Sequence, residues 1–211
     1  MPYGYLGQNT PNQTVSNSGV FSISDVASLE KQGKFGGSLE LIEEQTYSSA
    51  VANIDFLAIQ ENKFDVHILQ YNNVQDSGGA SSDLCIRFYE SGVLETASVY
   101  QKAFQYGNTS GTFGEDKSTA DTSISSIAGN FQNNVANGYV YFYNLGNSNK
   151  YSFVTTHSFF SHPTISGYMK FGGGVLPQAS SVNGIRLFID NADNFSAYNI
   201  KLYGVKQLWV L

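Results

Sequence analysis

The residues able to do chemistry in this 211-residue chain are few and scattered. There are three histidines, His67, His157 and His162, and one cysteine, Cys85. A zinc site needs several ligands converging, and neither an HxH nor an HExxH spacing occurs. His67 falls at an outward position of a candidate strand, and His162 precedes Pro163 in a loop. A His157–His162 pair across a turn is the one conceivable pairing, against ordinary surface histidines. No GxSxG elbow accompanies the abundant serines. Cys85 has no CxxC partner and reads as an inert small residue. Glu43 and Glu44 adjoin, but neighbours on a strand point to opposite faces and cannot serve one bond. The run Asp190-Asn191-Ala192-Asp193-Asn194 could offer oxygens to Ca²⁺, yet it lacks the central Gly and terminal Glu of an EF-hand. A turn held by Asx bonds is the competing reading. Gly172-Gly173-Gly174 is followed by Val175-Leu176-Pro177, not by Lys-Ser/Thr and a helix, so a turn or bulge replaces any phosphate loop. No catalytic residue, cofactor site or metal site is assigned.

The elements that would position these groups are strands. Candidates are 38–43, 50–56, 64–71, 84–89, 97–104, 138–144, 151–160, 168–171, 184–189 and 199–205. Several alternate with period two, the mark of sheets with one wet face. Positions 64, 66 and 68 form one expected apolar face. So do 84, 86 and 88, with Arg87 pointing out, and likewise 185, 187 and 189. The segment 143–151 lies between two aromatic strands and reads as a hairpin. Residues 107–136 are rich in Ser, Thr, Gly and Asn and read as an irregular stretch. Ile124, Ile127 and Phe131 in it are spaced for one short helix.

The amino-terminal segment differs. Residues 1–20 read as an extended arm punctuated by Gly, Asn and Pro. Tyr3, Tyr5 and Leu6 call for something to pack on, a neighbouring subunit or the body itself. A helix over 24–32 follows. Asp25 in its first turn suits the helix dipole, Val26 and Leu29 share a face, and Gly33 can close it. The expected organisation is therefore 1–37 as arm plus short helix and 38–211 as body. The fold class expected is all-β: an antiparallel β-sandwich, jelly-roll-like, with an extended N-terminal arm and one short N-terminal helix. Tyr3, Tyr5, Leu6, Phe21, Val26 and Leu29 are the candidate assembly residues.

Composition narrows the function. The 11 Lys+Arg against 17 Asp+Glu give a net charge of −6, with no basic cluster. That argues against nucleic acid as partner, since phosphate neutralisation supplies most of such affinity. No apolar run approaches the length of a membrane-spanning helix, so no membrane insertion is expected. The start, Met1 to Gln8, has neither a basic nor an apolar stretch, so no Sec-type signal is expected. Charged residues are only 13% and aromatics 14%. A surface of Tyr, Asn, Ser, Thr and Gln suits sugars, and it also suits low-charge subunit contacts.

Asn17–Ala27, Gly33–Ile42, Phe64–Val74, and the run from Phe171-Gly-Gly-Gly-Val through Asn183–Phe188 to Ile200–Val205 resemble small virion proteins of tailed phages, marine ones especially. The likeness covers most of the chain. It implies a structural or fibre-associated virion protein without enzymatic activity, made in the host cytoplasm and released by lysis. It implies as partners other virion proteins, a major capsid or tail protein. By analogy with phage jelly rolls it also implies a homo-oligomer such as a trimer. A capsid decoration or cement subunit is the expected role. The alternative is a tail-associated or fibre-tip protein that binds host surface glycans. The resemblance carries no catalytic residues.

Overall fold

The computed structural model describes residues 22–31, 38–78, 82–129, 134–162, 164 and 167–206. Two compact units are distinguished: the chain ends, Met1–Leu39 with Lys206–Leu211, and Glu40–Val205. In the first, α1 spans Ile23–Lys31, and Ser22 O accepts the Val26 N–H at 3.0 Å. The helix starts a residue earlier than Ser24 suggested. Ser22 stands in the capping position and its hydroxyl meets that of Ser24 at 2.8 Å.

The second unit is an antiparallel β-sandwich, as the alternation predicts. Its strands in chain order are β1 Leu39–Thr46, β2 Asn53–Phe56, β3 Val66–Asp76, β4 Asp83–Glu90, β5 Val93–Leu94, β6 Tyr100–Asn108 and β7 Phe113–Asp121. There follow β8 Ile124–Gly129, β9 Ala136–Tyr143, β10 Ser152–Phe160, β11 Tyr168–Leu176, β12 Val182–Ile189 and β13 Phe195–Val205. One sheet has eight strands in the order β1-β13-β3-β9-β10-β11-β6-β7. The other has β2-β12-β4-β5, with β8 also paired to β4. The core lies between them. Leu84, Ile86 and Phe88 of β4 and Ile185 and Leu187 of β12 face Leu69, Val140, Phe142, Ile200 and Leu202 of the larger sheet, all fully buried. Period-two alternation makes each strand contribute one face to this layer. Residues 144–151 turn β9 into β10, the expected hairpin.

Four expectations need correction. The described parts of the stretch 107–136, residues 107–129 and 134–136, are not irregular. Asn108 Oδ1 accepts the N–H groups of Ser110 and Thr112, Gly111 takes a φ of 87°, and β7 returns along β6. β7 escapes a hydrophobic pattern because it is an edge strand whose inward positions are polar. Ile124 and Ile127 lie on β8, not on a helix, and Phe131 lies outside the described residues. Ser126 adopts a φ of 65°, and the pairing with β4 slips between Leu84 and Ile86. A bulge of this kind lets residues three apart face one core, so helical spacing arises in a strand. In β3 the core side is Leu69, Tyr71 and Val74, with Val66 and Ile68 on the other face, while Phe64, just ahead of the strand, is buried as expected. Both faces of this central strand carry apolar groups, so periodicity left the choice of face ambiguous.

The glycine run is the fourth. Gly172, Gly173 and Gly174 are interior to β11, with no turn. A Cβ on Gly173 would stand 2.3 Å from Val154 O, and one on Gly174 would stand 2.8 Å from Ile124 Cγ2. The glycines are needed because neighbouring backbone and the overlying β8 approach closely.

Candidate functional site

The outer face of the eight-stranded sheet carries the most distinctive surface. β9 sends Ala136, Val140 and Phe142 inward and Tyr139, Tyr141 and Tyr143 outward. β10 alternates without a break, with Ser152, Val154, Thr156, Ser158 and Phe160 buried and Phe153, Thr155, His157 and Phe159 exposed. Antiparallel register aligns Tyr143 with Phe153 and Tyr139 with His157. β11 then places Phe171 beside His157, Met169 beside Phe159 and Val175 beside Phe153. The rings form a connected track. Tyr143 stacks on Tyr141 at 6.3 Å, and Tyr141 meets Tyr139 edge-on at 5.7 Å. Tyr139 meets His157 at 6.0 Å and His157 meets Phe171 at 6.5 Å, both nearly perpendicular. These are ring distances at which aromatic pairs attract.

Ordinary alternation would place polar groups here. Instead Phe159 is 56% exposed, Phe171 43%, and Tyr139 and Phe153 41% each. No Asp, Glu, Lys or Arg stands at the outward positions of β9, β10, β11 or β6 along this face. Charge begins only at the flanks. On one side Lys201 Nζ lies 3.3 Å from Glu44 Oε1, and on the other Lys117 pairs with Glu115.

A second group of charged residues is internal. Lys102 Nζ lies 3.1 Å from Asp116 and 3.4 Å from Asp121, and Lys170 Nζ lies 3.8 Å from Asp83. The Ser126 hydroxyl donates to Asp83 Oδ2 at 2.6 Å. Burial pushes Asp116 up, but the Ser126 hydroxyl and the Lys102 ammonium outweigh it and hold the carboxyl below its ordinary value. Asp190 is pushed the other way. Burial raises it, and the carboxylates of Asp83 and Asp193 add to the rise, while its Oδ1 accepts the Asp83 N–H at 2.6 Å. Beside this cluster a cleft of about 500 Å³ is lined by Cys85, Arg87, Ser123, Phe188 and Asp193 among others. The Arg87 guanidinium lies 4.5 Å over the Phe188 ring, and its Nε donates to Thr122 O. These contacts tie the β7–β8 turn and the Phe188 ring of β12 to β4. Burial pushes the Cys85 thiol up, which leaves it a poor nucleophile.

The residues singled out from the sequence fall apart in space. His157 lies exposed on the aromatic track. His162 packs on Tyr168 at 5.2 Å, and Tyr168 stacks on the inward Phe160, so the two histidines do not meet. His67 is not outward but fully buried, paired in register with Gly204, and its Nε2 donates to Ile59 O at 2.8 Å. Burial lowers its basicity. Glu44 turns to Lys201, whereas Glu43 accepts from Gln45, whose amide also donates to Asp55 O. Asp190 opens a 3-10 turn, Asp190–Ala192. Among the described residues no three His, Cys, Asp or Glu groups are arranged to hold a metal ion. Of the assembly residues, Val26 is half-buried on α1. Tyr3, Tyr5, Leu6, Phe21 and the Leu29 side chain lie outside the described residues.

No family model matches the chain, and no curated protein is significantly similar to it. The surface itself is therefore what function must be read from. The aromatic track escaped the sequence reading, although its signal is present. In Tyr139-Val140-Tyr141-Phe142-Tyr143 both alternating sets are aromatic or aliphatic, which a strand with one wet face does not need.

Proposed function

We propose that this protein is a non-enzymatic structural component of a phage virion, a decoration or cement subunit on the outside of the capsid. The observation that carries this reading is the broad, uncharged aromatic face on the outside of the larger sheet. Apolar patches of this size on a folded domain mark surfaces that contact a partner. The resemblance of several segments to small virion proteins supplies the setting. In this reading the sandwich is a rigid body, and its work is geometric: it presents a surface to a neighbour and holds it by burial of rings.

Purified particles test the proposal. The protein should be present at a fixed copy number by quantitative mass spectrometry. Hundreds of copies correspond to the head shell, a dozen or so to the tail. Its absence from particles would refute the reading.

A second reading, a fibre-tip protein that binds host glycans, is favoured by one specific feature. The track mixes tyrosine hydroxyls, His157 and Thr155 with its rings, and such groups both stack on sugars and hydrogen-bond to them. Screening the protein on a glycan array, with Tyr139→Ala as control, separates the two readings.

A further inference from the structure

We propose that the outer face of the eight-stranded sheet is the surface through which two copies of this chain pack, sheet on sheet, about a two-fold axis. This rests on the reading of that face as the protein's contact surface and names its occupant.

Three observations lead there. The first is charge. The centre of the face carries no ionic group, whereas Lys201–Glu44 and Lys117–Glu115 stand at its two flanks. An apolar centre enriched in aromatics within a charged rim is the anatomy of a protein–protein interface. Each flank holds both signs, so neither flank repels a second copy by net charge.

The second is relief. Tyr139 and Tyr141 are 89° apart, Tyr139 and His157 also 89°, and His157 and Phe171 88°. From Tyr141 to Phe171 each ring is turned nearly perpendicular to the next, and Tyr141 and Tyr143 are stacked. Gly173 leaves a furrow between Phe171 and Val175 on the same strand. Ridges and furrows suit interdigitation with side chains, as between the inner faces of packed sheets.

The third is area. β3, β9, β10, β11 and β6, about 4.8 Å apart and seven residues long at about 3.4 Å each, cover roughly 600 Å². Two copies would bury roughly 1,200 Å², the lower bound for a stable specific interface. A chain with one such patch satisfies it in a closed pair, because a two-fold contact uses the same patch on both partners.

Sedimentation equilibrium of the full chain across a wide concentration range is the test. The wild type should sediment at twice the chain mass. Combined Phe153→Lys and Phe159→Lys should halve that mass without changing the circular dichroism. Val93→Lys, at a still more exposed position on the smaller sheet, should leave the pair intact. Hydroxyl-radical labelling of the unaltered protein is independent of how the variants fold. Labelling of Phe153, Phe159 and Tyr139 should fall several-fold as the protein is concentrated, while that of Val93 stays constant. A monomeric wild type, a trimer, or a pair that survives the double substitution would each overturn the inference. So would a monomer whose binding to neutral glycans is lost in Tyr139→Ala. A monomer still found in particles removes this inference alone, and a dimer absent from particles removes the virion reading alone.

Discussion

At the residue scale, several buried polar groups decide how the fold responds to its surroundings. His67 is fully buried, and its one hydrogen bond engages Nε2–H, which fixes the neutral tautomer with Nδ1 against the interior. Its folded-state basicity is below the ordinary 6.5. The unfolded chain therefore binds this proton more readily, so stability is full above about pH 6.5 and is lost as pH falls below it. Asp116 adds a second loss at lower pH, below the ordinary carboxylate value, for the same reason of sign. Urea midpoints measured against pH should fall from about pH 6.5 downward, and His67→Gln, which keeps a donor toward Ile59 O, should flatten the upper part of that curve. Parallel curves for the two proteins would count against the assignment. Tyr100 offers a sharper case. Fully buried, it accepts the Phe88 N–H at 3.0 Å and donates to Glu95 O at 3.3 Å. Tyr100→Phe strands both backbone groups and should cost about 1–3 kcal/mol in equilibrium unfolding.

At the scale of elements, the strands legible beforehand were those that alternate against a single core. β4, β12 and β13 each place their even or odd set where periodicity put it, and the β9–β10 hairpin follows from its turn residues. What could not be read has physical causes. β7 is an edge strand with polar inward positions, β8 hides its period behind a bulge at Ser126, and β3 is apolar on both sides. In β11 the glycines that look like a turn are a response to crowding no local pattern reveals. Gly173→Ala should therefore destabilise by roughly 1–3 kcal/mol in thermal or urea unfolding, because the new methyl meets Val154 O, a backbone atom that cannot swing away. Gly92→Ala meets nothing within 4 Å and strains only a φ of 85°, so it should cost less. A Gly173→Ala protein as stable as the wild type would mean that β10 and β11 separate more readily than their register implies. The aromatic site was half legible: its rings lie in recognisable strands, but their assembly into one track depends on the register of three strands at once.

At the scale of the whole molecule, the buried core among the described residues runs from Ile54 to Leu202, with Ile42 and Val51 packed against it. Removal of residues 1–20 should leave a cooperatively melting sandwich with unchanged strand content by circular dichroism, while incorporation into particles is lost. A truncated chain that fails to melt cooperatively would place those residues in the core instead. Among the described residues the large sheet is not closed, and β1 and β7 are its two margins. Both edges are salted with charge: Glu40, Glu43 and Glu44 along β1, and Glu115, Asp116 and Lys117 along β7. Charged margins discourage strands from zipping onto one another. Sideways growth into ribbons is thereby disfavoured.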